Sequence, residues 1–105
     1  MSARQFDVFA NPDPESAETH PYFVVLQHDA LSDLNTRLVA PLVKPKRLPF
    51  FDRLMPAVNV KGSRYVLDVT NIGAIPAPLL EKAVANLEAA RYDIVAALDL
   101  VFTGI

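Results

Sequence analysis

The chain carries two imidazoles, His20 and His28, eight residues apart. A metal centre needs three or more ligands at compatible spacing, and no third ligand stands at such a spacing here, so both read as surface or loop-edge residues. Asp29 and Asp33 flank the same loop as His28. A His–Asp pair is material for acid–base catalysis, but aspartates beside a strand end are more often turn formers. Asn35-Thr36-Arg37 offers a guanidinium fork and a hydroxyl that suit a phosphate; the same trio also simply opens a strand. The three glycines are isolated, so no Gly-rich phosphate loop exists and nucleotide hydrolysis is excluded. No cysteine is present, which removes disulfides, thiolate catalysis and thiolate zinc sites together. No catalytic residue, metal or cofactor is expected, and the chain reads as a binding protein rather than an enzyme.

Phe102-Thr103-Gly104-Ile105 is a different kind of feature. Apolar side chains at the end of a chain fray unless something buries them. Phe102 is balanced between the domain's own core and another surface, whereas Ile105, beyond Gly104, is assigned to a partner. Burying one such side chain yields roughly 1.5–3 kcal/mol, enough to matter to a complex but not to make one alone.

The elements that must position these residues follow from the proline distribution. All nine prolines lie between Pro12 and Pro78, which forbids long helices in the first three quarters and fits short strands joined by turns. Gln5-Phe6-Asp7-Val8-Phe9 alternates polar and apolar, the period of a half-buried strand. Asn11 to Pro21 is turn chemistry and reads as an exposed loop. Tyr22 to Gln27 and Thr36 to Val43 are β-branched and aromatic runs, expected to pair through the link Asp29 to Asn35. Pro41 places the second at an edge or bends it. Pro45 to Pro56 reads as irregular. Val58-Asn59-Val60, a Lys61-Gly62 turn and Arg64 to Val69 form a hairpin pattern.

From Leu79 to Phe102 the sequence is free of Gly and Pro and rich in helix formers, so propensity alone starts a helix just after Pro78. Leu87, Arg91, Ile94, Leu98, Val101 and Ile105 are spaced four, three, four, three and four, placing five apolar residues and one arginine on one helical stripe. The whole, residues 1–105, is expected to be one domain, mainly β with one C-terminal α-helix. Ten basic against twelve acidic side chains, with no block of like charge, leave no electrostatic footprint for nucleic acid or an anionic membrane. Any link to DNA has to run through another protein. The apolar runs are too short to span a bilayer and the first residues do not form a signal peptide, so a cytoplasmic location is expected.

Asp93-Ile94 followed by Ala97-Leu98-Asp99-Leu100-Val101-Phe102-Thr103-Gly104-Ile105 resembles the C-terminus of CcdB-type toxins. Tyr22 to Asp29, Asn35 to Leu42, Met55-Pro56 before Val58-Asn59-Val60, Tyr65-Val66-Leu67 and Ile72 to Pro76 fall in that family's order and spacing. The resemblance implies an SH3-like barrel of the CcdB/MazF kind, homodimeric, with a long C-terminal helix starting near Leu87 or Glu88 and Leu79 to Val84 extended. It implies a toxin of a toxin–antitoxin module that binds the A subunit of DNA gyrase, traps the enzyme on cleaved DNA, and is neutralised by a CcdA-like antitoxin.

By position, Thr103, Gly104, Ile105 and Asp99 correspond to the gyrase-binding terminus, with His28, Ala30 and Leu31 in a loop of lesser weight. Val101 and Phe102 correspond to the dimer interface. Threonine at 103 replaces the tryptophan of the best-known member, and a tryptophan buries about 150–250 Å², which threonine cannot match. The rival function is a MazF/Kid-type endoribonuclease, which shares the barrel but carries an Arg-Pro step; here Arg37 is followed by Leu38. A protein-binding module with an unrelated partner is the third reading.

Overall fold

The computed structural model describes residues 3–45 and 53–104. Among these, seven strands form one antiparallel sheet: β1 (Asp7–Ala10), β2 (Tyr22–Val25), β3 (Thr36–Val43), β4 (Ala57–Val60), β5 (Ser63–Leu67), β6 (Gly73–Pro76) and β7 (Ala85–Asn86). Their order is β4-β5-β3-β2-β1-β7, with β6 also paired to β3. The sheet curls into a nearly closed barrel, and one helix, α1 (Arg91–Thr103), packs against it. The fold is therefore mainly β with one C-terminal helix, as expected.

β3 holds the sheet together because it has different partners along its length. Its first half, Thr36 to Val39, pairs with β6, and Leu42 and Val43 pair with β5, while β2 runs along the other side. Pro41 stands at that change of partner. Its carbonyl accepts from the Asp68 N–H at 3.0 Å, so its missing donor would have pointed into the gap between β6 and β5. Pro41 is thus buried in the central strand rather than at an edge.

Both faces of the central strands are covered. Val8, Val24, Ala40 and Leu42 share one core with Phe6, Leu67 and Ile94; Phe9, Val25 and Val39 share a second with Ala3 and Leu80. Burial on both sides explains why Tyr22-Phe23-Val24-Val25 and Leu38 to Val43 are continuous apolar runs instead of alternating ones. Leu80, 3% exposed, also explains why composition misplaces the helix start. Burying it in the second core outweighs a helix preference of at most about 0.7 kcal/mol per ordinary residue. Ala77–Leu79 is a single 3-10 turn, residues 80–84 are irregular, and only Ala85 and Asn86 pair with β1. Leu79 thus closes a 3-10 turn and residues 80–84 are irregular, so no α-helix starts just after Pro78, but the stretch from Leu79 to Val84 is not the extended segment that the resemblance implies. Helical backbone begins with a 3-10 turn at Glu88–Ala90, where Asn86 Oδ1 accepts from the Glu88 N–H at 2.8 Å.

Two turns depart from the simple strand pattern. β1 begins at Asp7, not Gln5, because Phe6 takes a left-handed φ of 69° inside a turn closed by the Asp7 N–H on Arg4 O. Phe6 nonetheless keeps the side the alternation gave it: its ring is fully buried, its N–H donates to Val25 O, and its carbonyl accepts from Leu87. Between β4 and β5, Lys61 and Gly62 have φ of 50° and 81°, the two positive values of a type I′ turn. β5 stops at Leu67, two residues short of expectation, where the Asp68 carboxylate accepts from Thr70 and opens a turn. The middle of the Pro45–Pro56 segment lies outside the described residues.

Candidate functional site

α1 presents two unlike faces. Toward the barrel, Ile94 and Ala97 are fully buried, with Leu98 and Val101 packed alongside them. Arg91 joins this face at its upper end, its guanidinium 5.4 Å from the centre of the buried Phe6 ring. The apolar stripe anticipated from spacing is therefore the packing face, as far as Val101; Ile105 lies outside the described residues. Away from the barrel, Tyr92, Asp99, Phe102 and Thr103 are exposed. Tyr92 is 88% and Phe102 70% exposed, so Phe102 is not part of this chain's own core.

The helix stops by chemistry written into its last residues. Gly104 adopts φ 75°, ψ 14° and its N–H donates to Leu100 O at 3.0 Å, a left-handed cap that glycine forms without the Cβ clash of other residues. Thr103 Oγ1 donates back to Asp99 O at 2.6 Å. Asp99 places a carboxylate near the negative end of the helix dipole, and no basic residue stands in the last turn to offset it. The Asp99 side chain is exposed to solvent.

The second candidate patch is the link between β2 and β3. His28 caps a 3-10 turn at Asp29–Leu31 by accepting the Ala30 N–H on Nδ1 at 3.0 Å, which leaves Nε2 to carry the proton. Ala30 and Leu31 are exposed, as are Leu34 and Leu38 further along, with Leu31 at 50%. Asp29 accepts the Gln5 N–H at 2.7 Å and lies 3.8 Å from Arg4, so its carboxylate is committed to bracing the N-terminal segment. Neither Asp29 nor Asp33 hydrogen-bonds His28, and no acid–base pair forms among the described residues. His28 instead shares an open, polar cleft of about 530 Å³ with Arg4, Gln5, Asn86 and Arg91.

His28 thus meets the beginning of α1, whereas Asp99, Thr103 and Gly104 lie at its end. A thirteen-residue helix is about 20 Å long, and no hydrogen bond among the described residues joins the two patches. Val101 is half-buried against the core, so whatever it offers a second copy is only its remaining surface.

Arg37 is excluded as a phosphate ligand. It is 3% exposed, and its guanidinium donates to four backbone carbonyls, those of Ala3, Ser32, Leu34 and Thr36. His20 lies in the Asn11–Pro21 loop, its Nδ1 2.8 Å from Thr19 Oγ1. Among the described residues no three His, Cys, Asp or Glu side chains gather as metal ligands, and no helix is long and apolar enough to cross a membrane. Sequence reasoning missed the exposed Tyr92 and the polar contributors Gln5, Asn86 and Arg91 to the cleft. Tyr92 was open to discovery, since it falls opposite the Leu87–Val101 stripe; the cleft was not, because it joins positions more than eighty residues apart.

The described residues thus form a nearly closed barrel packed by one helix, with Tyr92 and Phe102 exposed along that helix. No curated protein matches the chain. The model of the family described as CcdB protein matches residues 5–104, and the chain belongs to the CcdB family. It is accordingly a toxin of the CcdB type, the toxin half of a toxin–antitoxin module.

Proposed function

We infer that this toxin binds the A subunit of DNA gyrase through the end of α1 and traps the enzyme on cleaved DNA, without catalysing any reaction itself. The observation that carries the reading is the family match across residues 5–104, which includes the helix end. The exposed Asp99, Thr103 and Gly104 support it, as does the exposed loop of His28, Ala30 and Leu31. Ile105 completes the gyrase-binding terminus in this reading. The functional unit is a homodimer, with Phe102 and the free edge of Val101 turned to the second copy, so that two helix ends stand side by side and stabilise the cleaved state of a two-fold target. A CcdA-like antitoxin neutralises it, DNA is reached only through gyrase or an antitoxin complex, and the site of action is the cytoplasm.

The endoribonuclease alternative loses its basic group, because Arg37 is buried under backbone carbonyls. Purified protein incubated with gyrase and supercoiled plasmid should yield linear DNA after denaturation of the trapped complex. Cutting of RNA with no trapped DNA would overturn the reading. A chain lacking residues 103–105 should keep its fold and antitoxin binding and lose toxicity; a truncated chain that still kills would remove the helix end from the site.

A further inference from the structure

The loop that carries Ala30, Leu31 and Leu34 has few packing contacts of its own, for none of its residues from 28 to 36 is fully buried. Its shape is held from below by two buried polar side chains. Gln27, 7% exposed, donates from Nε2 to Leu31 O at 3.0 Å and to Thr36 O at 3.3 Å, while its Oε1 accepts the Leu38 N–H. Arg37 donates through Nη1 to Leu34 O at 2.6 Å, through Nη2 to Ser32 O at 2.8 Å, and through Nε to Ala3 O at 3.3 Å. No carboxylate pairs with Arg37 among the described residues. A buried guanidinium without a counter-ion is expensive to keep, and here its Nη1 and Nη2 tie the Leu34 and Ser32 carbonyls of the loop to the Thr36 carbonyl of β3, while Nε anchors it to Ala3 in the N-terminal segment.

We propose that Gln27 and Arg37 are positioning residues that hold the His28–Asn35 loop in one conformation, so that Leu31 and Leu34 meet the protein target as a preformed apolar tip. This rests on the gyrase reading, with the loop as its second contact. Neither residue touches the target. Without them the loop samples several shapes, and apparent affinity falls in proportion to the fraction that is competent to bind.

The test measures binding of the gyrase A subunit to the full chain and to Leu31→Ser, Arg37→Gln, Gln27→Leu and the double variant Leu31→Ser/Arg37→Gln, with thermal unfolding and amide exchange recorded for each. A bracket whose loss leaves the competent shape in one loop in ten weakens binding about tenfold. Arg37→Gln should show a loss of that order together with faster exchange at residues 30–36 and unchanged exchange in β1 and β2. In the double variant the arginine effect should shrink to what Leu34 still contributes, so the two losses should combine to less than their sum, because the arginine acts only through the loop; a general destabilisation would instead add in full to the leucine effect. Should Arg37→Gln fail to fold, Gln27→Leu carries the same expectation through its own two carbonyls. Full affinity in Arg37→Gln or Gln27→Leu beside a weakened Leu31→Ser overturns the positioning role. A wild-type chain that does not bind gyrase at all refutes the underlying reading instead, and the two failures are told apart by that control.

Discussion

Replacing Gly104 by alanine separates a helix stop that shapes the working surface from a residue that merely lies in it. Gly104 sits at φ 75°, and a Cβ added there meets nothing within 4 Å, so the penalty in the free chain is conformational and not steric. Holding an L-residue in the left-handed region costs about 1–2 kcal/mol. The helix end is exposed, so alanine escapes the strain by fraying the last turn, and the midpoint of global unfolding should hardly move. Binding then has to restore the turn, and 1–2 kcal/mol corresponds to a roughly 5- to 30-fold weaker complex with the gyrase A subunit, read by calorimetry. Gly104→Asn should fall between glycine and alanine despite its larger side chain, because asparagine tolerates left-handed backbone. An affinity that follows side-chain size, with asparagine weaker than alanine, refutes the conformational argument. Equal affinity for all three removes Gly104 from the surface altogether.

On the proposed homodimer, Phe102→Ser should shift sedimentation equilibrium toward monomer, since the ring is 70% exposed in one chain; a dimer of unchanged strength assigns Phe102 elsewhere, and a parent chain that is monomeric refutes the dimer. Reversing Asp99 to lysine should raise helix stability by about 0.3–1 kcal/mol through the dipole while weakening gyrase binding, and a variant that gains stability without losing affinity excludes Asp99 from the contact. Gly62→Ala, at φ 81° in the β4–β5 turn, should lower unfolding free energy in urea by about 1–2 kcal/mol, whereas an unmoved midpoint contradicts the type I′ geometry. Ile94→Ala, which empties the fully buried anchor of α1, should cost about 2–5 kcal/mol in the same titration, and a loss under 1 kcal/mol would mean that the helix is not held by this side chain.

Periodicity carried the strands and the packing face of α1, because both depend on which side of an element is buried. It could not carry burial that comes from distant segments. Leu80 looks like helix until Val39, Val25 and Phe9 are seen beneath it, and Pro41 looks like an edge residue until β3 is known to change partners at that point. Arg37 is the sharpest case. Beside Thr36 it offers phosphate chemistry to a reader of spacing alone, yet its donors are taken by carbonyls as far away as Ala3. Residue type gives the capacity to bind, and only the fold decides what is already bound. The apolar character of the helix end points to a partner on sequence grounds alone, and the fold adds that Phe102 is exposed there. Gly104 turned out to have a reason within the chain as well, the left-handed cap, which the resemblance alone did not suggest.

The geometry of α1 also bears on how a chain with threonine at position 103 engages its target. Residues three and four apart share a face, so Tyr92, Ala96, Asp99 and Thr103 form one exposed stripe, and Phe102 is turned about 100° from Thr103 toward its flank. The surface assigned to the second copy and the surface assigned to gyrase are therefore neighbours on the helix, not the same patch. The stripe runs from the helix end to Tyr92, next to Arg91, which borders the cleft shared with His28. A target that covers both the helix end and the His28 loop has to lie along it, over the tyrosine ring. Aromatic area absent at position 103 is thus present on the same stripe at 92, 88% exposed and nearer the loop. In the gyrase reading proposed above, Tyr92 therefore supplies the aromatic area that threonine at 103 lacks, and a Tyr92→Ser variant that binds the gyrase A subunit as tightly as the parent chain refutes this.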